Sequence, residues 1–120
     1  MRLPLALALL ALAGPAAAQG QDCFYHRDTD SFTAVDNQTL NLRVGMNRYY
    51  QLRLFSPCLD LDFSQAIGMR SRGSSWICVG QANDVEIFTR SAAGRQRCSV
   101  SEVRRLSPEE LAAMPKKFRP

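Results

Sequence analysis

The sequence predicts a mainly β protein: a small antiparallel barrel or sandwich of about six to seven short strands, with a short C-terminal helix, stapled by disulfides. Three observations carry this expectation. Apolar and polar residues alternate in steps of two, the period of a half-buried strand rather than a helix. Turn-forming residues recur at short intervals between the alternating runs. Four cysteines, Cys23, Cys58, Cys78 and Cys98, are spread through a chain of 120 residues. That length allows one domain with a thin core.

The clearest alternation is Thr39–Val44, which puts Leu40, Leu42 and Val44 on one face. Arg48–Leu54 does the same with Tyr50, Leu52 and Leu54, and Gly45-Met46-Asn47 joins the two runs as a hairpin turn. An earlier strand over 31–35 ends at the turn Asp36-Asn37-Gln38. Ser56-Pro57 stops the third strand, because Pro lacks a ladder donor. Residues 59–65 read as an irregular connection or one helical turn. Two further hairpins are expected: 66–71 with 76–80 across Gly73-Ser74-Ser75, and 84–90 with 96–103 across Ala92-Ala93-Gly94. In this phase Leu42, Leu52, Met69 and Ile87 point inward, while Arg43, Arg53, Arg70 and Arg90 point outward. Ser107 can cap a helix that starts at Pro108, with Glu110 three residues after the cap. The helix spans 107–114 and a basic tail, expected to be mobile, spans 115–120.

The first 18 residues carry an export signal. Met1-Arg2 is a short positive start, Leu3 to Ala13 is uncharged and apolar, and Ala16-Ala17-Ala18 offers a small-residue cleavage site. The apolar run has 11 residues, whereas a membrane-spanning helix needs about 20. A periplasmic or secreted protein follows, with the β domain over 19–106 and no transmembrane segment after cleavage. In an oxidising compartment the four cysteines form two disulfides. Of three possible pairings, Cys58–Cys78 with Cys23–Cys98 is preferred, since it ties the Pro57-Cys58 turn to a neighbouring strand and the new N-terminus to the last one. The rival is Cys23–Cys58 with Cys78–Cys98. The gaps of 35, 20 and 20 residues contain no C-x-x-C, so neither a zinc site nor a redox pair is expected.

The segments Asn47-Arg48-Tyr49-Tyr50 to Pro57-Cys58, Ile67-Gly68 to Arg72-Gly73-Ser74, Ile77-Cys78 and Arg97-Cys98 give the chain a resemblance. It resembles a family of small exported bacterial proteins with four cysteines, catalogued only as a domain of unknown function. In that family Gly precedes the Pro-Cys pair and Pro often follows it; here Ser56 and Leu59 stand there. The resemblance covers nearly all of the chain after the signal. It implies an envelope location and no assigned activity.

No catalytic set emerges from the residues. His26 is the single histidine and lies near the new N-terminus, where a solvated side chain is expected. Asp28 with Asp30, and Asp60 with Asp62, are carboxylate pairs that would share a face of an extended strand. They lack the pattern of a calcium loop. Gly73-Ser74-Ser75 is a hairpin tip, too short to cradle a phosphate. No metal or cofactor is expected.

The basic side chains are the most distinctive feature. Of 15, 13 are Arg, and residues 85–120 hold eight basic against four acidic side chains. Arg43, Arg53, Arg70, Arg72 and Arg90 form the candidate anion-binding face, because Arg favours bidentate contact with phosphate or carboxylate. Arg48-Tyr49-Tyr50, Trp76 and Phe88 add aromatics nearby. Export argues against nucleic acid as a partner. The expected function is a non-enzymatic envelope module that binds an anionic envelope component or a periplasmic protein. The alternatives are a small periplasmic hydrolase using the paired Asp residues and a periplasmic enzyme inhibitor. Net positive charge counts against inhibition of a basic enzyme such as lysozyme.

Overall fold

Strand β3 (Thr39–Val44) and strand β4 (Arg48–Leu54) form the hairpin that the alternation predicts, in the register Leu40↔Leu52 and Leu42↔Tyr50. Gly45 makes the turn possible, at φ 62°, in the left-handed region that side chains resist. The computed structural model describes residues 22–63, 66–92 and 94–120. The export signal over 1–18 lies outside the described residues.

The hairpin belongs to a six-stranded sheet that curls into half a barrel. Its other strands are β2 (Thr29–Asp36), β5 (Ala66–Ser71), β7 (Val85–Ser91) and β8 (Gly94–Arg105). The order is β2-β3-β4-β8-β7-β5, every neighbouring pair antiparallel. The long strand β8 joins the two halves. Its first part pairs with β7 and its second part with β4. Between them Ser101 is an extra residue: Arg53 faces Glu102, but the next residue, Leu54, faces Val100. This bulge shifts the alternation by one, so Val100 and Val103, three apart, are both buried. Ser101 Oγ donates to the Arg53 carbonyl at 3.1 Å and fixes the kink.

Two short strands, β1 (Cys23–Tyr25) and β6 (Trp76–Cys78), pair with each other as a separate ribbon. The expected hairpin between residues 66–71 and 76–80 does not form. Instead β5 pairs with β7 throughout, from Ala66↔Arg90 to Ser71↔Val85. The chain turns at Gly73, leaves the sheet, and has only three residues to offer as β6. The ribbon caps the concave side. Phe24 and Ile77 are fully buried among Leu40, Leu42, Leu52, Val85 and Ile87, and the Phe24 ring lies 4.5 Å from that of Tyr50. Tyr50 donates to Asp22 at 2.6 Å, and Arg105 donates to the same carboxylate at 3.1 Å. Burial, helped by the bond to Asp22 and its charge, holds the Tyr50 phenol above its usual value of 10.0.

The disulfides are Cys23–Cys78 and Cys58–Cys98. The preferred pairing of Cys58 with Cys78 and Cys23 with Cys98 is therefore corrected, and so is its rival. The sheet decides the partners. Since β6 pairs with β1, Cys78 stands directly opposite Cys23. Since β4 is followed by β8, and Phe55 extends that ladder by donating to Ser99 at 3.1 Å, the loop after β4 brings Cys58 to Cys98. The closed loops, 55 and 40 residues apart in sequence, interleave rather than nest.

The tail is another correction. Helix α1 (Pro108–Ala113) starts as expected, with Ser107 and Glu110 forming a capping box. A one-turn 3-10 helix, Lys116–Phe118, follows it. This segment packs on the outer face of the sheet. Asn41 donates to the Phe118 carbonyl at 2.9 Å, Gln51 donates to Asn41 at 2.9 Å, and Arg104 donates to Gln51 at 3.3 Å. These three residues form one cross-strand row over β3, β4 and β8. Arg104 also donates to Glu110 at 2.6 Å. The polar outer row is thus the dock of the C-terminus, which explains why Asn41 is fully buried.

Two measurements check this architecture. Peptide mapping without reduction should yield Cys23 linked to Cys78 and Cys58 linked to Cys98; replacing either pair with alanines should cost about 2–5 kcal/mol of stability. The second concerns pH. The bond from Arg104, then that to the Ser107 backbone, holds the Glu110 carboxyl below its usual range. A carboxyl with a lowered folded-state pKa contributes stability above the ordinary carboxylate range and loses it as pH falls through the folded value. The Asn41 side-chain amide resonances should therefore report loosening of the C-terminal dock on acidification below that range. In Glu110→Gln the dock should already be loose at neutral pH, with this acid transition gone.

Candidate functional site

The outer face of β5, β7 and β8 gathers the arginines that the C-terminal segment leaves uncovered. Alternation fixes it: Ile87 points inward, so Glu86, Phe88 and Arg90 point outward, and Arg95 and Arg97 of β8 share that side. Gly68 of β5 stands opposite Phe88. Phe88 carbons lie 3.8 and 3.9 Å from where a Gly68 side chain would begin, so the ring covers the bare backbone. Two guanidinium groups lie over that ring, Arg70 at 5.1 Å and Arg97 at 5.4 Å from its centre. The phenyl ring orients the two cations by cation–π attraction.

Arg90 and Arg95 are direct cross-strand partners. Like charges placed opposite each other in a sheet destabilise it. A carboxylate would relieve the repulsion, but among the described residues the ion pairs are Arg70–Glu86, Arg104–Glu110 and Arg105–Asp22. None involves Arg90, Arg95 or Arg97. These three line an open concavity of about 770 Å³ together with Ala66, Gly68 and Phe88.

Of the five arginines singled out in the sequence, two lie on this face, Arg70 and Arg90. Arg72 is exposed in the turn after β5. Arg43 and Arg53 are on β3 and β4, in the other half of the sheet; Arg53 is exposed and Arg43 half-buried. Arg95 is absent from the set because the last strand is expected to begin at Gln96, one residue after it; Arg97 lies inside that expected strand, and its outward phase is not used there. The signal was present, since Arg95 and Arg97 alternate with Gln96 and Cys98 in the same phase. The inward residues stand as expected: Leu42, Leu52 and Ile87 are fully buried and Met69 nearly so.

The candidate catalytic carboxylates do not form strand pairs. Asp28 ends a 3-10 turn while Asp30 lies on β2, and both are exposed. Asp60 occupies a turn at φ 54°, and Asp62 lies in the following 3-10 turn. His26 is half-buried, its ring 5.1 Å from that of Tyr25. Among the described residues no three His, Cys, Asp or Glu side chains gather as metal ligands would. No helix among them is long and apolar enough to cross a membrane.

A family model matches residues 1–119. The chain belongs to DUF6491, a family of unknown function. No curated protein and no solved structure matches it. For this member of DUF6491, function has to be argued from the site.

The arginine face makes a prediction about stability. Arg95→Gln removes one half of a repelling pair and should leave stability unchanged or raise it by a few tenths of a kcal/mol. Leu52→Ala, on the opposite side of the sheet, should cost about 2–5 kcal/mol through lost burial and a cavity. Denaturant unfolding of the two variants reads both values.

Proposed function

We propose that this chain is an exported, non-enzymatic binding module of the cell envelope, whose β5–β7–β8 face takes a phosphate or carboxylate of an anionic envelope component. One observation carries the reading. Arg90 and Arg95 oppose each other across a ladder, with Arg97 beside them, and no described carboxylate pairs with any of the three. An oxyanion between them turns a repulsive pair into a bidentate clamp, because the guanidinium fork matches carboxylate and phosphate geometry. Phe88 supplies an apolar floor against which the Arg70 and Arg97 guanidinium groups rest. The hydrolase alternative needs two carboxylates held together, and neither aspartate pair shares a strand.

Co-sedimentation tests the proposal, with phosphatidylglycerol vesicles, phosphatidylcholine vesicles and alginate as separate arms at low and high salt. Binding to an anionic arm, and not to phosphatidylcholine, is expected, and it should fall as salt rises. An arginine near an anionic surface contributes about 1 kcal/mol. The triple variant Arg90→Gln, Arg95→Gln, Arg97→Gln should thus bind phosphatidylglycerol vesicles roughly 100-fold more weakly, with its fold intact. No binding to either anionic arm at low salt, or binding indifferent to salt and to the triple change, overturns the proposal.

A further inference from the structure

We propose that the depression beside Trp76 is a second, separate site, which binds one neutral sugar ring of a glycan. The depression has a volume of about 730 Å³ and lies between the turn after β5, the β1–β6 ribbon and the loop that leads to β7. A volume of this size is ordinary for a small-molecule site.

Its chemistry is that of a flat apolar plate with a polar rim. Trp76 is 54% exposed, which is high for the largest aromatic side chain. Its ring is braced from the side by Tyr25, at 5.5 Å and 67°. Around it stand Arg72, Gln81, Asn83 and Asp84. Their side chains make no hydrogen bond with another described residue. A pyranose has a face of C–H groups and a rim of hydroxyls. The face suits an indole plate. The hydroxyls suit these four planar groups: Arg72 donates, Asp84 accepts, and the Gln81 and Asn83 amides do both, so that neighbouring hydroxyls can be met in pairs. The charges of Arg72 and Asp84 offset one another, so the site favours a neutral ligand over an ion.

The site is also built in advance. Arg72 N–H donates to the Asp84 carbonyl at 2.9 Å, which ties the two banks together. Trp76 N–H donates to Ser74 Oγ at 3.1 Å, and Gln81 N–H to the Cys78 carbonyl at 3.1 Å. The Cys23–Cys78 disulfide anchors the wall between them. The backbone therefore needs little ordering on binding, and the cost that remains is that of fixing the four rim side chains.

The protein holds a single tryptophan, so its fluorescence reports this site alone. The test titrates the whole chain with chitotetraose, cellotetraose and maltotetraose, each up to about 10 mM, a range that covers weak single-ring recognition. One of the three should give a saturable change in emission, unaltered at about 0.5 M salt, where exposed charges are screened. Asn83→Ala or Asp84→Ala should weaken that binding about tenfold, the loss of one or two hydrogen bonds. By calorimetry, Trp76→Ala should abolish binding with the thermal midpoint preserved, while Trp76→Phe retains a weaker affinity. No emission change and no saturation-transfer signal with any of the three sugars overturns the proposal. So does binding that Asn83→Ala and Asp84→Ala leave unaltered. The arginine face shares none of these side chains, so either site can fail without the other.

Discussion

Strand β8 has to serve two ladders, and a regular two-residue alternation cannot do so while keeping apolar side chains on one face of a curled sheet. The extra residue Ser101 resolves this. It bends the strand where the partner changes from β7 to β4, and it resets the phase so that Val100 and Val103 both enter the core. Everything else leans on that bend. The first part of β8 presents Arg95 and Arg97 outward beside Arg90. The second part presents Arg104 to Gln51 and Glu110, which brings the C-terminal helix onto the sheet.

The two outer surfaces of one sheet thereby have different fates. Over β3, β4 and the end of β8, the polar row Asn41, Gln51 and Arg104 is consumed internally. Each member bonds to the next and the last to the C-terminal segment. Over β5, β7 and the start of β8, the basic side chains face outward with a phenylalanine among them. A buried polar group must find a partner within the protein, whereas an exposed one is free to find it elsewhere. That difference is why the arginine face, and not the more polar row, is the candidate for binding.

Local order was legible in the sequence to the residue in places. Thr39–Val44, Arg48–Leu54 and Ala66–Ser71 appear as read, because period-two alternation bounded by Gly, Pro or Ser is a local signal. The capping box is equally local and was equally clear. Long-range pairing was not legible. A three-residue strand such as Cys23–Tyr25 has too few residues to show a period, so β1 went unnoticed. Without it, Cys78 lost its true partner. The tail looked mobile because its contacts, to Asn41 and Thr33, come from the other end of the chain. At the candidate site Arg70 and Arg90 were legible from phase alone. Arg97 was legible by phase but stood out only once its place opposite Phe88 was known, Arg95 needed the full extent of β8, and Trp76 needed the depression around it to become more than a nearby aromatic.

The interleaved disulfides bear on how the chain is made. Synthesis runs from the N-terminus, so Cys23 and Cys58 emerge before Cys78, and they are not partners. An oxidant that reaches the chain before Cys78 emerges has only these two sulfurs to join within it. That bond must then be opened by thiolate attack before either native bridge can close. The connectivity ties maturation to the order in which sulfurs meet an oxidant, and it makes thiol exchange matter as much as oxidation.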